Sequence, residues 1–478
     1  MSISPLGAGR AASRLPLHVQ EIGWREPEAL FAHWCDDPYM GFLDGAAAGD
    51  PRGRFSYLAV EPFRILTAVD GKVMVDGLPV PDDPFAVLER ELARYRIEPG
   101  EAPLPFAGGA VGFLGYELGS CLERLPARHG NELAIPDMAV AFYDVVIGFD
   151  QHERRAWLMS SGLPADGAAA RAARAERRAR AVFKRLRRPV QLAPVAPRSL
   201  VGWMPEIAPA EYRARVARLL EHIREGDIYQ ANFTARHLIP RPAGTAADLY
   251  RALRRSSPAP FAAYLACGPR LAVASASPER FLKLDAEGRI ETRPIKGTRP
   301  RGRDPVADAA LAAELAASAK DRAENLMIVD LMRNDISRVA EIGSVAVPTL
   351  CAVESFPTVH HLVSVVEGRL RPGASRVDLL RATFPGGSIT GAPKLRAMAL
   401  IDAVEVARRG PYCGTIAWFG FDGAMDSSIV IRTLTITPEL VIAQAGGGIV
   451  ADSDPAAEYE EMLVKIRPLL RAIEIGPP

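Results

Sequence analysis

The chain has 478 residues, 48% of them hydrophobic, and a formal net charge of +1. That is enough apolar material for one large core or two fused ones, and the balanced charge excludes a strong overall field toward nucleic acid or a membrane surface. No apolar run reaches the about 20 residues that cross a bilayer, residues 1–15 lack a basic-then-apolar signal pattern, and the five cysteines contain no CxxC pair; a disulfide framework or zinc site is therefore not expected, and the predicted location is the cytoplasm.

In chain order, residues 54–58 and 138–148 read as strands. Residues 108–115 are glycine-rich but no GKS/T follows, so a tight turn is expected rather than a phosphate loop. Residues 168–188, rich in Ala and Arg, read as an exposed linker helix; no aromatics interleave, which argues against a nucleic-acid arm. The proline-rich stretch 189–197 ends that helix and marks a boundary between an N-terminal part, 1–190, and a C-terminal part, 200–478. Beyond it, helices are predicted over 209–225, 321–333, 394–406 and 455–470, and strands over 228–238, 270–276 and 427–436. Asp454 can cap the last helix, with Pro455 at its first position.

Several patterns carry chemistry. Glu458, Glu461 and Lys465 fall at spacings of three and four on one helix face, and Asp321 and Glu324 repeat the spacing on a face that continues through Ile328 and Leu331. Each alone reads as a solvated face; two facing helices of this kind could hold a hard divalent cation such as magnesium through oxygen. Gly446, Gly447 and Gly448 follow a strand-like segment and, as a simple turn or as an anion cradle, allow close backbone approach. Arg432 shares its predicted strand face with Val430 and Leu434; with Lys465 and Tyr412 it could complete a dicarboxylate site. Glu279 lies near a strand end. Lys296, between Ile295 and Gly297, is ordinarily a surface residue; if buried, its amine would lose its proton more readily and could act as a nucleophile. Of His360 and His361, one is expected to be exposed, and either could be structural.

Taken together, these stretches resemble the chorismate-utilising enzymes, a family that includes anthranilate, aminodeoxychorismate, isochorismate and salicylate synthases. The resemblance is carried by GDIYQANFT (226–234), SPERFL (277–282), TRPIKGTRPRG (292–302), DRAENLMIVDLMRND (321–335), VESFPTVHHLVS (353–364), FPGGSITGAPK (384–394), PYCGTIAWFG (411–420), DSSIVIRTL (426–434) and GGGIVADSDPAAEYEEMLVK (446–465). It covers nearly all of 200–470; the N-terminal part fits more loosely, through RFSYL. It implies an α+β fold of two large antiparallel sheets packed on each other with helices outside, to which both parts of the chain contribute. It also implies Mg2+ held by Glu324 and Glu461, with Asp321 and Glu458 acting through water. Tyr412, Arg432, Gly446, Gly447, Gly448 and Lys465 would bind substrate carboxylate, His361 and Ser388 would lie against the ring, and Glu279 would protonate the departing hydroxyl.

Two positions divide the family. Isochorismate and salicylate synthases carry a lysine base where this chain has Gln230, which argues against water as nucleophile; the resemblance places Gln230 among the substrate-binding residues. Anthranilate synthases usually read PIAGT; this chain reads PIKGT, the aminodeoxychorismate synthase version. The resemblance therefore implies amination of chorismate to 4-amino-4-deoxychorismate through an adduct on Lys296, on the route to para-aminobenzoate and folate. Anthranilate synthesis is the alternative. A regulatory module that kept the fold would show damaged acid or metal residues, and none is damaged. No Cys-His amidotransferase segment is evident, so ammonia is expected from a separate glutamine amidotransferase subunit. The Leu-Leu-Glu-Ser element of tryptophan feedback is here Phe42-Leu43-Asp44-Gly45, without its serine.

Overall fold

The structure, a computed structural model, describes residues 17–47, 49–100, 102–190, 202–357 and 359–474. Residues 1–15 and most of the expected boundary at 189–197 lie outside them. The described chain builds two twelve-stranded sheets. In the first, Tyr39–Asp44 pairs antiparallel with Phe261–Cys267; in the second, Gly109–Leu114 pairs antiparallel with Thr415–Gly420. Each sheet is thus joined from strands on both sides of the proline-rich segment.

Apolar side chains from facing strands fill the space between the sheets. Val146, Met159, Ala263 and Val273 of the first meet Val111, Phe113, Ala139 and Ile416 of the second. Gly41 marks how closely they approach: a Cβ there would stand 2.9 Å from Val111 of the opposite sheet. Phe113 is fully buried, and truncating such a residue to alanine costs about 3–5 kcal/mol. Helices close the outer faces, with Pro209–Arg224, Ala246–Ser256 and Pro455–Glu474 on the first sheet and Pro84–Ala93, Ala319–Ser337 and Arg376–Thr383 on the second. Among the described residues, no helix is long and apolar enough to cross a membrane.

Several elements differ from the sequence reading. The run 138–148 is two strands, Met138–Tyr143 in the second sheet and Val145–Asp150 in the first, with the chain crossing between sheets at Asp144. The run 427–436 likewise divides into Met425–Ile429 and Thr433–Ile436, in different sheets. A continuous apolar run reports burial and cannot report which sheet buries it. The glycine-rich stretch expected to turn is the strand Gly109–Leu114; at Gly112 a Cβ would lie 2.1 Å from the Ala139 carbonyl oxygen of the adjacent strand. The supposed linker helix is Ala168–Leu186, and it packs: Ala175, Ala179, Val182 and Leu186 are buried.

Candidate active site

We label the elements that carry the site β1 (Gln230–Pro240), β2 (Ile295–Pro300), α1 (Ala319–Ser337), β3 (Val359–Arg369), β4 (Leu440–Ile449) and α2 (Pro455–Glu474). They surround a cavity of about 680 Å³ at the seam between the layers.

On one wall, α2 runs along the glycines of β4. Asp454 caps the helix, accepting the backbone N–H groups of Ala456 and Ala457 at 3.0 and 2.9 Å. Gly447 leaves room for the polar face of α2: a Cβ there would meet Glu458, Glu461 and Lys465 at 3.1, 3.3 and 3.5 Å. Lys465 Nζ donates to the Gly446 carbonyl at 2.9 Å and lies 2.6 Å from Glu461. Ser453 donates to Glu458 Oε1 at 2.6 Å, while Glu458 Oε2 is buried with no partner among the described residues. Burial raises the Glu458 carboxyl above its usual range. Burial acts the same way on Glu461, but Lys465, with Lys320 and Lys296, outweighs it and holds that group low.

The opposite wall is α1 and β2. Ser318 caps α1, and Ile328 anchors it in the core. Leu331 packs onto Gly387, where a Cβ would come within 2.6 Å of it, and this contact sets the turn Gly387–Ile389 that carries Ser388 into the cavity. Glu324 faces the same space; burial raises its carboxyl, against the pull of Lys296 and Lys320. Asp321 lines the cavity and accepts from Arg299 at 3.3 Å. Pairing of β2 with β3 slips by one residue between Lys296 and Thr298, and Gly297 there has φ 71°. Such a bulge re-aims its neighbours. Lys296 is half-buried, lines the cavity, and its charge reaches Glu279, Glu324 and Glu461.

Glu279 is 8% exposed. Burial pushes its pKa up to about 7, opposed by Lys296, a hydrogen bond from Ser388, the Arg52 charge and the Ile295 N–H. His361 exchanges a hydrogen bond with Thr298 at 2.9 Å. Burial first, then the charges of Arg52 and Arg432, lower it to about 4, so the imidazole is neutral at pH 7. Both histidines are buried, contrary to the expectation that one is exposed; His360 is tied to Ser355 and Asp308. Tyr412 is buried in the cavity wall. Arg432 opens on the cavity from the crossover between sheets, at φ 51°, and not from a strand face shared with Val430 and Leu434.

The cavity therefore gathers Lys296, Glu279, His361, Ser388, Tyr412, Arg432, Gly446, Gly447, Gly448, Lys465, Glu324, Glu461, Glu458 and Asp321. Gln230 is the exception. It lies fully buried behind the lining, and a Cβ on Gly448 would come within 2.2 Å of its Nε2. Both its carboxamide atoms lack a partner among the described residues. Asn232, Thr298 and Lys320 line the cavity and escaped the sequence reading. Asn232 was within reach, two residues from Gln230 on one strand.

Glu324, Glu458 and Glu461 form a donor set suited to a hard divalent cation, and the orphaned Glu458 oxygen is one that water on such an ion would satisfy. Among the described residues they do not gather within 4.8 Å of one another; the one cluster that does is His222, Glu225 and Asp227, on the periphery. Magnesium asks for one or two carboxylates, with water and substrate oxygens supplying the rest.

A family model described as chorismate binding enzyme matches residues 46–471. The aminodeoxychorismate synthase component 1 of Klebsiella aerogenes is 43% identical over 463 residues, covering 95% of this chain and 98% of that one. The anthranilate synthase component 1 of Streptomyces coelicolor is 40% identical, covering 96% and 89%. The crystal structure of anthranilate synthase component I from Streptococcus pneumoniae superposes with a TM-score of 0.78 at 32% identity, covering 87% of this chain and 92% of that one. Fold, cavity and relatives agree: the chain belongs to the family of chorismate-binding enzymes.

Proposed function

We propose that the chain is the synthase component of an aminodeoxychorismate synthase, converting chorismate and ammonia into 4-amino-4-deoxychorismate and water, on the route to para-aminobenzoate and folate. The observation that carries this reading is Lys296 in one cavity with a buried acid, Glu279.

The Lys296 amine attacks C2 of chorismate, the ring double bonds shift, and the C4–O bond breaks as Glu279 protonates the departing hydroxyl to water. Ammonia then forms a bond to C4, the electrons shift back, and the C2–N bond to Lys296 breaks. The new ammonium returns a proton to Glu279. Two displacements carry nitrogen to C4, where a single attack at C2 leads toward anthranilate. Arg432, Tyr412, Lys465 and the N–H groups of Gly446–Gly448 would hold substrate carboxylate, and His361 and Ser388 would lie against the ring. Gln230 stands where a lysine would serve to activate water. Glu324 and Glu461 would hold magnesium directly, and Glu458 and Asp321 through water. When bound, the ion neutralises and fixes a substrate carboxylate. Residues 200–478 supply these groups, and the described residues of the N-terminal part, 1–190, contribute strands to both sheets.

The designation "component 1" of the relatives supports a separate glutamine amidotransferase as ammonia source. Five free cysteines suit the reducing cytoplasm. The second reading, anthranilate synthesis, is favoured by the Streptomyces coelicolor relative. The two separate by product. With chorismate, Mg2+ and an ammonium salt, mass spectrometry is expected to find 4-amino-4-deoxychorismate with its enolpyruvyl group retained; anthranilate and free pyruvate would establish the second reading. Glutamine is expected to replace ammonium only when an amidotransferase is added.

A further inference from the structure

Arg52 belongs to the short turn Pro51–Gly53, far in sequence from the groups above. Its side chain is 10% exposed and that of Asp50 is 3% exposed. Asp50 grips it twice, accepting from Nε at 3.0 Å and Nη2 at 2.7 Å, and also accepts the Arg52 backbone N–H at 2.9 Å. The remaining nitrogen, Nη1, donates to the Pro278 carbonyl at 3.3 Å, one residue before Glu279. The guanidinium also lies over the Phe356 ring, 4.1 Å from its centroid, and that ring stands 5.5 Å from His361. A buried ion pair between residues two apart ties no distant segments together and is weak evidence of a stability device. What it does here is hold one guanidinium at a fixed point, with its free nitrogen on the Glu279 turn and its face on the ring that backs His361.

We propose that Arg52 is a positioning residue for the reaction: held by Asp50, it sets the Pro278–Glu279 turn and the Phe356–His361 pair in one register, so that acid and imidazole face the same substrate. The proposal rests on Glu279 being the acid. Glu279 is faced by the Lys296 amine, the Ser388 hydroxyl, the Ile295 N–H and the Arg52 charge. Of these, only Arg52 comes from the N-terminal part of the chain.

The test is steady-state kinetics with chorismate, Mg2+ and ammonium across pH for Arg52→Met, Arg52→Lys and Asp50→Asn. Arg52→Met is expected to lower kcat by about tenfold to a hundredfold with KM for chorismate nearly unchanged. Loss of the cation raises the Glu279 pKa, so the alkaline limb of kcat/KM should move to higher pH. Arg52→Lys should return the limb to its wild-type position and restore part of kcat, because an ammonium cannot stack and donate as a planar fork does. Asp50→Asn keeps the guanidinium charge but loosens its grip, and should lower kcat with little movement of the limb. A folded Arg52→Met with wild-type kcat and limb overturns the proposal, as does a loss of kcat that only follows the melting temperature while the limb stays fixed. If Arg52→Met does not fold, wild-type kcat in both other variants overturns it. Glu279→Gln separates the two levels. Full activity there removes Glu279 as acid and Arg52's role with it; its inactivation beside a wild-type-like Arg52→Met confines the failure to Arg52.

Discussion

The chain passes between the two sheets several times, and two of its tight crossings, at Asp144 and between Ile429 and Thr433, treat charge in opposite ways. Asp144 is fully buried, and Arg178 and Arg174 reach it from the helix Ala168–Leu186 at 3.1 and 3.4 Å. Every charge there has a partner within the fold, and the crossing is sealed. Arg432 makes no side-chain hydrogen bond or close ion pair among the described residues and points into the cavity from a left-handed backbone conformation. A non-glycine residue held there costs about 1–3 kcal/mol. The difference teaches that completed charge marks structure in this molecule, while incomplete charge marks the place where something else must bind.

Lys296 tests that contrast most severely, because three carboxylates surround it and it makes no close ion pair with any among the described residues. Lys296→Ala should lower turnover by about 10³-fold or more with the melting temperature unchanged. A loss of stability in step with activity would place Lys296 on the structural side. At the crossings, Asp144→Ala should destabilise by about 1–3 kcal/mol, because Arg174 and Arg178 lose the buried carboxylate they share while Arg178 keeps Glu61, and should leave KM alone in the folded fraction. Arg432→Gly should do the reverse: KM for chorismate rises by about 30-fold, near 2 kcal/mol, while chemical denaturation shows a gain of about 1 kcal/mol from the relieved backbone. Equal stability losses at both sites would break the comparison.

Titration sharpens it further. Glu279, held up to about 7 chiefly by burial, must carry its proton to act. Activity should therefore be present below that pH and lost above it, with an alkaline limb near 7 in kcat/KM, which reports the free enzyme. A limb displaced beyond pH 9, or activity rising through neutrality, would contradict the assignment. The smallest effect is expected at Gln230, whose two buried carboxamide atoms, without a partner among the described residues, carry a desolvation cost of about 1–3 kcal/mol. Gln230→Met should raise stability by about 1 kcal/mol; a loss would mean that water already completes the carboxamide.

The sequence made the cavity legible and the crossings illegible, for physical reasons. Short local patterns carry their own geometry: Glu458, Glu461 and Lys465 share a helix face by spacing alone, and the three glycines of β4 leave room for that face. Arg432 reads from the sequence as a functional charge, but its backbone does not, because Ser427 to Ile436 is rich enough in Ile, Val and Thr to pass for one strand. The helix Ala168–Leu186 was misread for the opposite reason. Alanine and arginine dominate its composition, and the four buried positions, 175, 179, 182 and 186, are visible only as a period. Arg52 left no signal, since its partners Pro278 and Phe356 lie more than two hundred residues away.

The most direct test of the account is intact-protein mass spectrometry of the chain held with chorismate and Mg2+ while ammonia is withheld. The wild type should gain the mass of chorismate less one water, the adduct should disappear when ammonium is added, and Lys296→Ala should never show it. An unmodified wild type that turns over once ammonium is supplied, or an equal adduct on Lys296→Ala, would contradict the covalent role of Lys296.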